Sequence, residues 1–173
     1  MRAPQRGLDG PQHRYILVYT MLVLKVVGAL SRHRVPYALV GGYAVALHGA
    51  VRGTVDIDVV VHLRERDLRA VERALHSLGL RSRLPVTADE VFRFREEYVR
   101  NRSLTAWSFV NPARPSEVVD VLLTEDLAGM TLKRVRFQGR VLRIASIPDL
   151  IRMKQRAGRP QDLEDVRALK ELR

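Results

Sequence analysis

Residues 37–62 read Tyr37-Ala38-Leu39-Val40-Gly41-Gly42-Tyr43-Ala44-Val45-Ala46-Leu47-His48-Gly49-Ala50-Val51-Arg52-Gly53-Thr54-Val55-Asp56-Ile57-Asp58-Val59-Val60-Val61-His62, and this stretch decides the fold. Tyr37 to Val40 is short, apolar and ended by two glycines, which suits an interior strand. Gly42 to His48 then predicts a short helix with Gly49 as its C-terminal stop. Val55 to His62 predicts a second strand, rich in β-branched residues, in which Asp56 and Asp58 alternate with Val55, Ile57 and Val59. Both carboxylates therefore leave one face of that strand.

Upstream, Pro4, Gly7, Gly10 and Pro11 mark residues 1 to 12 as a loose tail, and residues 13–173 as a single domain. His13 to Arg34 reads as one long helix, stopped by Pro36 and by the bias of Val35 away from helical angles. Its apolar part, Tyr15 to Leu30, is shorter than the ~20 residues a membrane span needs, and Lys25 interrupts it. No clear cleavage site follows it, so the expectation is a cytoplasmic protein with no membrane partner.

Downstream, Arg64 to Leu78 carries Leu68, Val71, Leu75 and Leu78 along one side of a helix closed by Gly79. Between Leu80 and Arg102 the pattern is least legible, and Phe92, Phe94 and Tyr98 suggest a strand or a loop lying over the site. Strands follow at Leu104 to Val110 and Glu117 to Leu123, separated by the turn residues 111–115. Lys133 to Phe137 and Val141 to Ile144 read as a hairpin across Gln138-Gly139-Arg140. Helices at Ile147 to Ala157 and Asp162 to Leu172 end the chain, divided by Gly158-Arg159-Pro160.

At 173 residues the chain can bury a core without staples. It has no cysteine, which excludes disulfides, thiolate zinc sites and a cysteine nucleophile. The formal net charge of +11 favours a polyanionic partner, nucleic acid or a nucleoside triphosphate. The excess of arginine over lysine, scattered along the chain, would equally follow from a GC-rich genome. No RNA- or DNA-binding motif is present, and 6% aromatic residues leave few stacking platforms.

Aspartates at i and i+2 of a strand set their Cα atoms roughly 6.5 to 7 Å apart. Hard oxygen ligands at that spacing suit Mg²⁺, which completes its shell with water and phosphate oxygens, and two ions so held would act on both the attacking and the leaving oxygen. Asp120, between Val119 and Val121, is the natural third ligand, because an unpaired aspartate in an apolar strand is costly. Asp-x-Asp alone is a weak motif that often serves turns and surface ion pairs. Gly41-Gly42 lets a phosphate approach the backbone, or merely permits a tight turn. Arg52 and Thr54 stand before the aspartates as phosphate or acceptor contacts, although Arg52 also reads as one more solvated arginine. Lys154 is a point charge for phosphates or an exposed helix lysine. Asp162, with Arg159 and Asp165 at the last helix break, reads as a cap, and His48 as a satisfied buried histidine.

Val40-Gly41-Gly42-Tyr43-Ala44, then Arg52-Gly53-Thr54-Val55-Asp56-Ile57-Asp58, then Val119-Asp120-Val121-Leu122, resembles the nucleotidyltransferase superfamily of polymerase-β-like fold. The tail from Asp149 to Asp165, a lysine helix followed by Arg159-Pro160-Gln161-Asp162, resembles the AbiEii-like branch, which includes toxins of bacterial toxin–antitoxin systems. The resemblance implies an α/β (α+β) fold: a mixed sheet flanked by helices, with a long N-terminal helix and a C-terminal helical pair. It implies Asp56 and Asp58 as Mg²⁺ ligands, Asp120 as the third carboxylate, Gly41 and Gly42 at the triphosphate, and Lys154 assisting. Two departures stand out: Gly42 replaces a common serine, and Gln161 a common lysine. The expected activity is Mg²⁺-dependent transfer of a nucleoside monophosphate from an NTP to an acceptor, RNA or a tRNA end, with a cognate antitoxin as partner. The alternatives are a catalytically inert nucleotide- or partner-binding module of the same fold and an enzyme acting on an aminoglycoside-like small molecule.

Overall fold

The computed structural model describes residues 11–50 and 52–172, with side chains from Met21 onward. In chain order the elements are α1 (Pro11–Arg32), β1 (Tyr37–Leu39), α2 (Gly41–Leu47), β2 (Ile57–Val61), α3 (Glu65–His76), β3 (Arg81–Ser82), α4 (Ala88–Arg102), β4 (Ala106–Asn111), β5 (Arg114–Leu122), β6 (Leu132–Phe137), β7 (Arg140–Ala145), α5 (Ile147–Ala157) and α6 (Pro160–Glu171). A single 3-10 turn, Leu127–Gly129, lies between β5 and β6. The expected tail falls on residues 1–10, outside the described residues, and on the first two residues of α1.

Seven strands form one sheet in the order β3-β4-β5-β2-β1-β7-β6. The sheet is mixed: β2 runs parallel to β5 and β1 parallel to β7, while the other neighbours are antiparallel. In β4 and β5 burial alternates, with Trp107, Phe109, Val119 and Val121 fully buried on one face and Ser108, Val110, Val118 and Asp120 half-buried on the other. The buried face lies under α3, whose His76 ring meets Phe109 edge-on at 6.1 Å. Helices α1 and α4 both touch α3 and complete that layer. The opposite face carries α2 and α5, which touch each other, and α6 behind α5. No helix is long and apolar enough to cross a membrane among the described residues.

Residues 88–102 correct the expectation of a strand or loop, because they form helix α4. Thr87 starts it with a capping box: its side chain accepts from the Glu90 N–H, and the Glu90 carboxylate accepts from the Thr87 N–H at 2.8 Å. Such a cap satisfies two otherwise orphan donors at a helix start. Phe92 and Phe94 are 44% and 40% exposed, so these aromatics do not follow a buried strand pattern. Strand β3, two residues long, had no sequence signal of its own.

Candidate active site

The site begins where β1 ends. Val40 donates its N–H to the Asp58 carbonyl at 3.0 Å, which ties the turn to β2. Gly41 then takes φ +61, a left-handed conformation that glycine adopts without strain. A Cβ on Gly41 would fall 1.8 Å from Asp58 Oδ2, so the Asp58 carboxylate lies directly against this backbone. A Cβ on Gly42 would fall 2.7 Å from Thr54 Oγ1. The hydroxyl of Thr54 thus fills the space a side chain at 42 would take, and accounts for glycine there.

Strand pairing brings the carboxylates together. β2 and β5 run parallel in the register Ile57 beside Val119, Asp58 beside Asp120 and Val59 beside Val121. Adjacent strands lie about 4.8 Å apart, so Asp58 and Asp120 are lateral neighbours on one face. Asp120 Oδ1 is buried with no hydrogen-bond partner. Burial first, then the negative charges of Asp120 and Asp56, push the Asp58 carboxyl up to about 6, against the opposing pull of Lys154 and Arg159. Burial and the Asp120 charge likewise raise Asp56, and Arg83 acts in the opposite sense. Asp56 precedes β2, in a bend, rather than lying within the strand as its alternation suggested.

Among the described residues no three His, Cys, Asp or Glu side chains already stand in a metal-holding group. The donor set nevertheless fits a hard divalent cation. One buried carboxylate oxygen is orphaned, and burial together with the neighbouring carboxylate charges raises both Asp56 and Asp58. A cation between them would relieve both conditions.

Behind these acids stands a second cluster, in which every charge is matched. Lys154 on α5 is 7% exposed and bonds Asp162 Oδ1 at 2.9 Å and Asp165 Oδ2 at 2.8 Å. Arg159 reaches Asp162 Oδ2 at 2.7 Å, and Arg52 reaches Asp165 Oδ1 at 3.1 Å. Burial raises the Asp162 carboxyl, but the hydrogen bonds from Arg159 and Lys154 outweigh it and hold the group at about 2. Asp162 also accepts the Arg159 N–H at 3.2 Å, so the expected cap is present and is also an ion-pair partner. Lys154 is a buried, paired lysine rather than an exposed one. The pairing from Lys154 to Asp162 spans eight residues, across the Gly158 turn (φ +67).

The remaining candidates fall on either side. Thr54 packs against Gly42 and donates to the Asp56 carbonyl at 3.4 Å. His48 is half-buried and bonds the Ala145 carbonyl through Nε2 at 2.8 Å, while its Nδ1 is buried without a partner among the described residues, so the expected satisfied histidine is met at one ring nitrogen only. Arg83 was missed by sequence reasoning, because β3 could not be placed.

A family model described as nucleotidyltransferase of unknown function (DUF6036) matches residues 22–171. No curated protein sequence matches the chain. Solved structures agree on the fold. The antibiotic-resistance factor ANT(2'')-Ia superposes with TM-score 0.62 at 16% identity, covering 88% of this chain and 83% of its own. The lincosamide antibiotic adenylyltransferase LnuA, with lincomycin bound, gives TM-score 0.58 at 14% identity over 88% of this chain and 97% of its own. An antigenic nucleotidyltransferase-like protein from Paracoccidioides brasiliensis gives 0.54 at 18% identity over 90% and 75%.

Proposed function

The chain belongs to the nucleotidyltransferase family DUF6036 and is an enzyme of that class, and from that premise we propose that it moves a nucleoside monophosphate from an NTP to RNA. The observation that carries this is the uncompensated acid group: Asp58 beside Asp120 in parallel register, with Asp120 Oδ1 buried and unbonded.

In the proposed reaction an acceptor hydroxyl oxygen bonds the α-phosphorus, the bond from that phosphorus to the bridging β-phosphate oxygen breaks, and pyrophosphate leaves. Asp120 takes the hydroxyl proton, as a positioned general base. Asp56 and Asp58 would hold Mg²⁺, which supplies Lewis-acid neutralisation of the phosphate charge when bound. Gly41 and Gly42 admit the triphosphate close to the backbone, with Thr54 Oγ1 beside it in place of a side chain at 42. Lys154 contributes charge from behind Asp58 and fixes the turn that carries Arg159, while Arg52 is oriented by Asp165.

An RNA acceptor is supported by the net charge of +11, and the β6–β7 hairpin, at the sheet edge opposite β3, offers a separate basic surface for the body of such an RNA. There Lys133, Arg134, Arg136, Arg140 and Arg143 are all exposed, Arg134 stands directly opposite Arg143, and none pairs with a carboxylate among the described residues. Like charges in register are unfavourable alone and become favourable against phosphates. Within this reading a toxin-like enzyme of the AbiEii kind, acting on a tRNA end in the cytoplasm and silenced by an antitoxin protein, is the specific form. Growth arrest of a bacterial host by the wild-type chain but not by Asp120→Asn tests that form.

A second reading is favoured by the likeness to ANT(2'')-Ia and LnuA: a small antibiotic-like acceptor. Calorimetry with Mg²⁺-ATP tests the site in either case. Wild-type protein should bind and the Asp56→Ala/Asp58→Ala variant should not; equal binding by both removes the site assignment.

A further inference from the structure

Cations flank the carboxylates from two directions. Lys154 and Arg159 come from α5 and the α5–α6 turn, on the same side as Gly41 and Gly42. Arg83 comes from the far end of the sheet, beyond β4 and β5. Its N–H donates to the Ser108 carbonyl at 2.9 Å, which extends the antiparallel β3–β4 register by one residue past Ser82 opposite Phe109. Ser108 is opposite Asp120, and Asp120 is beside Asp58. Residues directly opposed in a sheet share a face. Ser108, Asp120 and Asp58 therefore make one row across β4, β5 and β2, and Arg83, in the bend just past β3, continues it through its backbone bond to Ser108.

The register cannot slip without cost, because Trp107 Nε1 donates to Ser82 Oγ at 2.9 Å on the other face. Ser82 is thereby committed to the core side, and the strand alternation carried one residue further sets Arg83 toward the site side. Arg83 is exposed and forms no ion pair or hydrogen bond through its side chain among the described residues, yet its charge reaches Asp56. Two strand spacings put its Cα about 10 Å from that of Asp120.

In-line displacement at phosphorus requires the attacking and leaving oxygens on opposite sides. If the leaving pyrophosphate lies toward Gly41, Lys154 and Arg159, the acceptor enters from the side of β4 and β3. We propose that Arg83 binds a backbone phosphate of the acceptor, and that the acceptor is an RNA 3′ end whose terminal hydroxyl lies at Asp120. Arg83 is a specificity-determining residue in this assignment, which rests on the nucleotidyl-transfer reading above. A polycationic acceptor would meet the guanidinium as a like charge.

The test uses the full chain, Mg²⁺, α-labelled NTPs and total RNA, with Arg83→Gln and Arg83→Lys beside wild type. Arg83→Gln should raise the KM for RNA by about tenfold, the size of one charge-assisted hydrogen bond. It should leave kcat and Mg²⁺-ATP affinity within about twofold, with partial recovery in Arg83→Lys. The logarithmic salt slope of RNA binding should shrink by about 0.7, one single-strand phosphate, which a structural role would not produce. An unchanged KM overturns the assignment, and so does a matching loss of Mg²⁺-ATP affinity, which would put Arg83 on the NTP. Wild-type transfer to an aminoglycoside and to no RNA overturns the parent reading, and the assignment with it.

Discussion

Two groups of aspartates lie side by side in this molecule and are treated in opposite ways. Asp162 and Asp165 are nearly fully buried and saturated by Lys154, Arg159 and Arg52, and Asp162 is held at about 2. Asp58 and Asp120 share a face with Asp56 just before β2, no cation is bonded to any of the three among the described residues, and Asp58 is pushed up to about 6. A fold able to neutralise the first pair with three cations leaves the second group uncompensated. The difference separates a framework from the acid group that, in the proposed reaction, would hold an external cation.

The largest effect is expected at the unmatched group. Asp120→Asn keeps the shape and removes the proposed base, and should lower the rate of label transfer by about 10²- to 10⁴-fold while Tm is held or raised. Breaking the matched group should do the reverse. Lys154→Ala leaves each buried carboxylate with one arginine partner, Arg159 for Asp162 and Arg52 for Asp165, and should cost about 2–3 kcal/mol in a urea melt.

Smaller and opposite in sign is Asp58→Asn. With the buried charge and its repulsion from Asp120 and Asp56 removed, the metal-free variant should melt a few degrees above wild type at pH 7 and lose the upward response to Mg²⁺. If it melts lower, the unmatched group is not strained.

The pH dependence sharpens the contrast further. Asp58 has a folded pKa above its unfolded value of about 3.9, so its contribution to metal-free stability falls as pH rises from about 4 to 6. For Asp162, at about 2 when folded, stability is lost as pH drops from about 4 toward 2. Metal-free melts should therefore decline in both directions, and saturating Mg²⁺ should flatten only the upper limb. The smallest effect is expected from the Gly42–Thr54 pair. Gly42→Ser alone should weaken Mg²⁺-ATP binding through its collision with Thr54, and Thr54→Ala added to it should restore part of the loss.

Much of this contrast could be anticipated from local pattern. The alternation of Asp56 and Asp58 with aliphatic residues, and the burial implied around Asp120, pointed to one face before any pairing was known. The parallel register that sets Asp58 beside Asp120 is a long-range property, with no trace in either strand alone. Lys154 read as a phosphate charge or an exposed helix lysine, and its burial was missed because its partners lie in the next helix, beyond a turn. Helix α4 was misjudged because three aromatics outweighed the Thr87–Glu90 cap, which was legible in the sequence. Arg83 was invisible because a two-residue strand has no periodicity to read.

The central claim is that the unmatched aspartates complete a nucleotidyl-transfer site for RNA. Incubation of the full chain with α-labelled NTPs, Mg²⁺ and total RNA tests it most directly. The account predicts label in RNA, with pyrophosphate released, abolished by chelation of the metal and by Asp120→Asn. Label that appears on no RNA, or that persists in the Asp120→Asn variant, would contradict it.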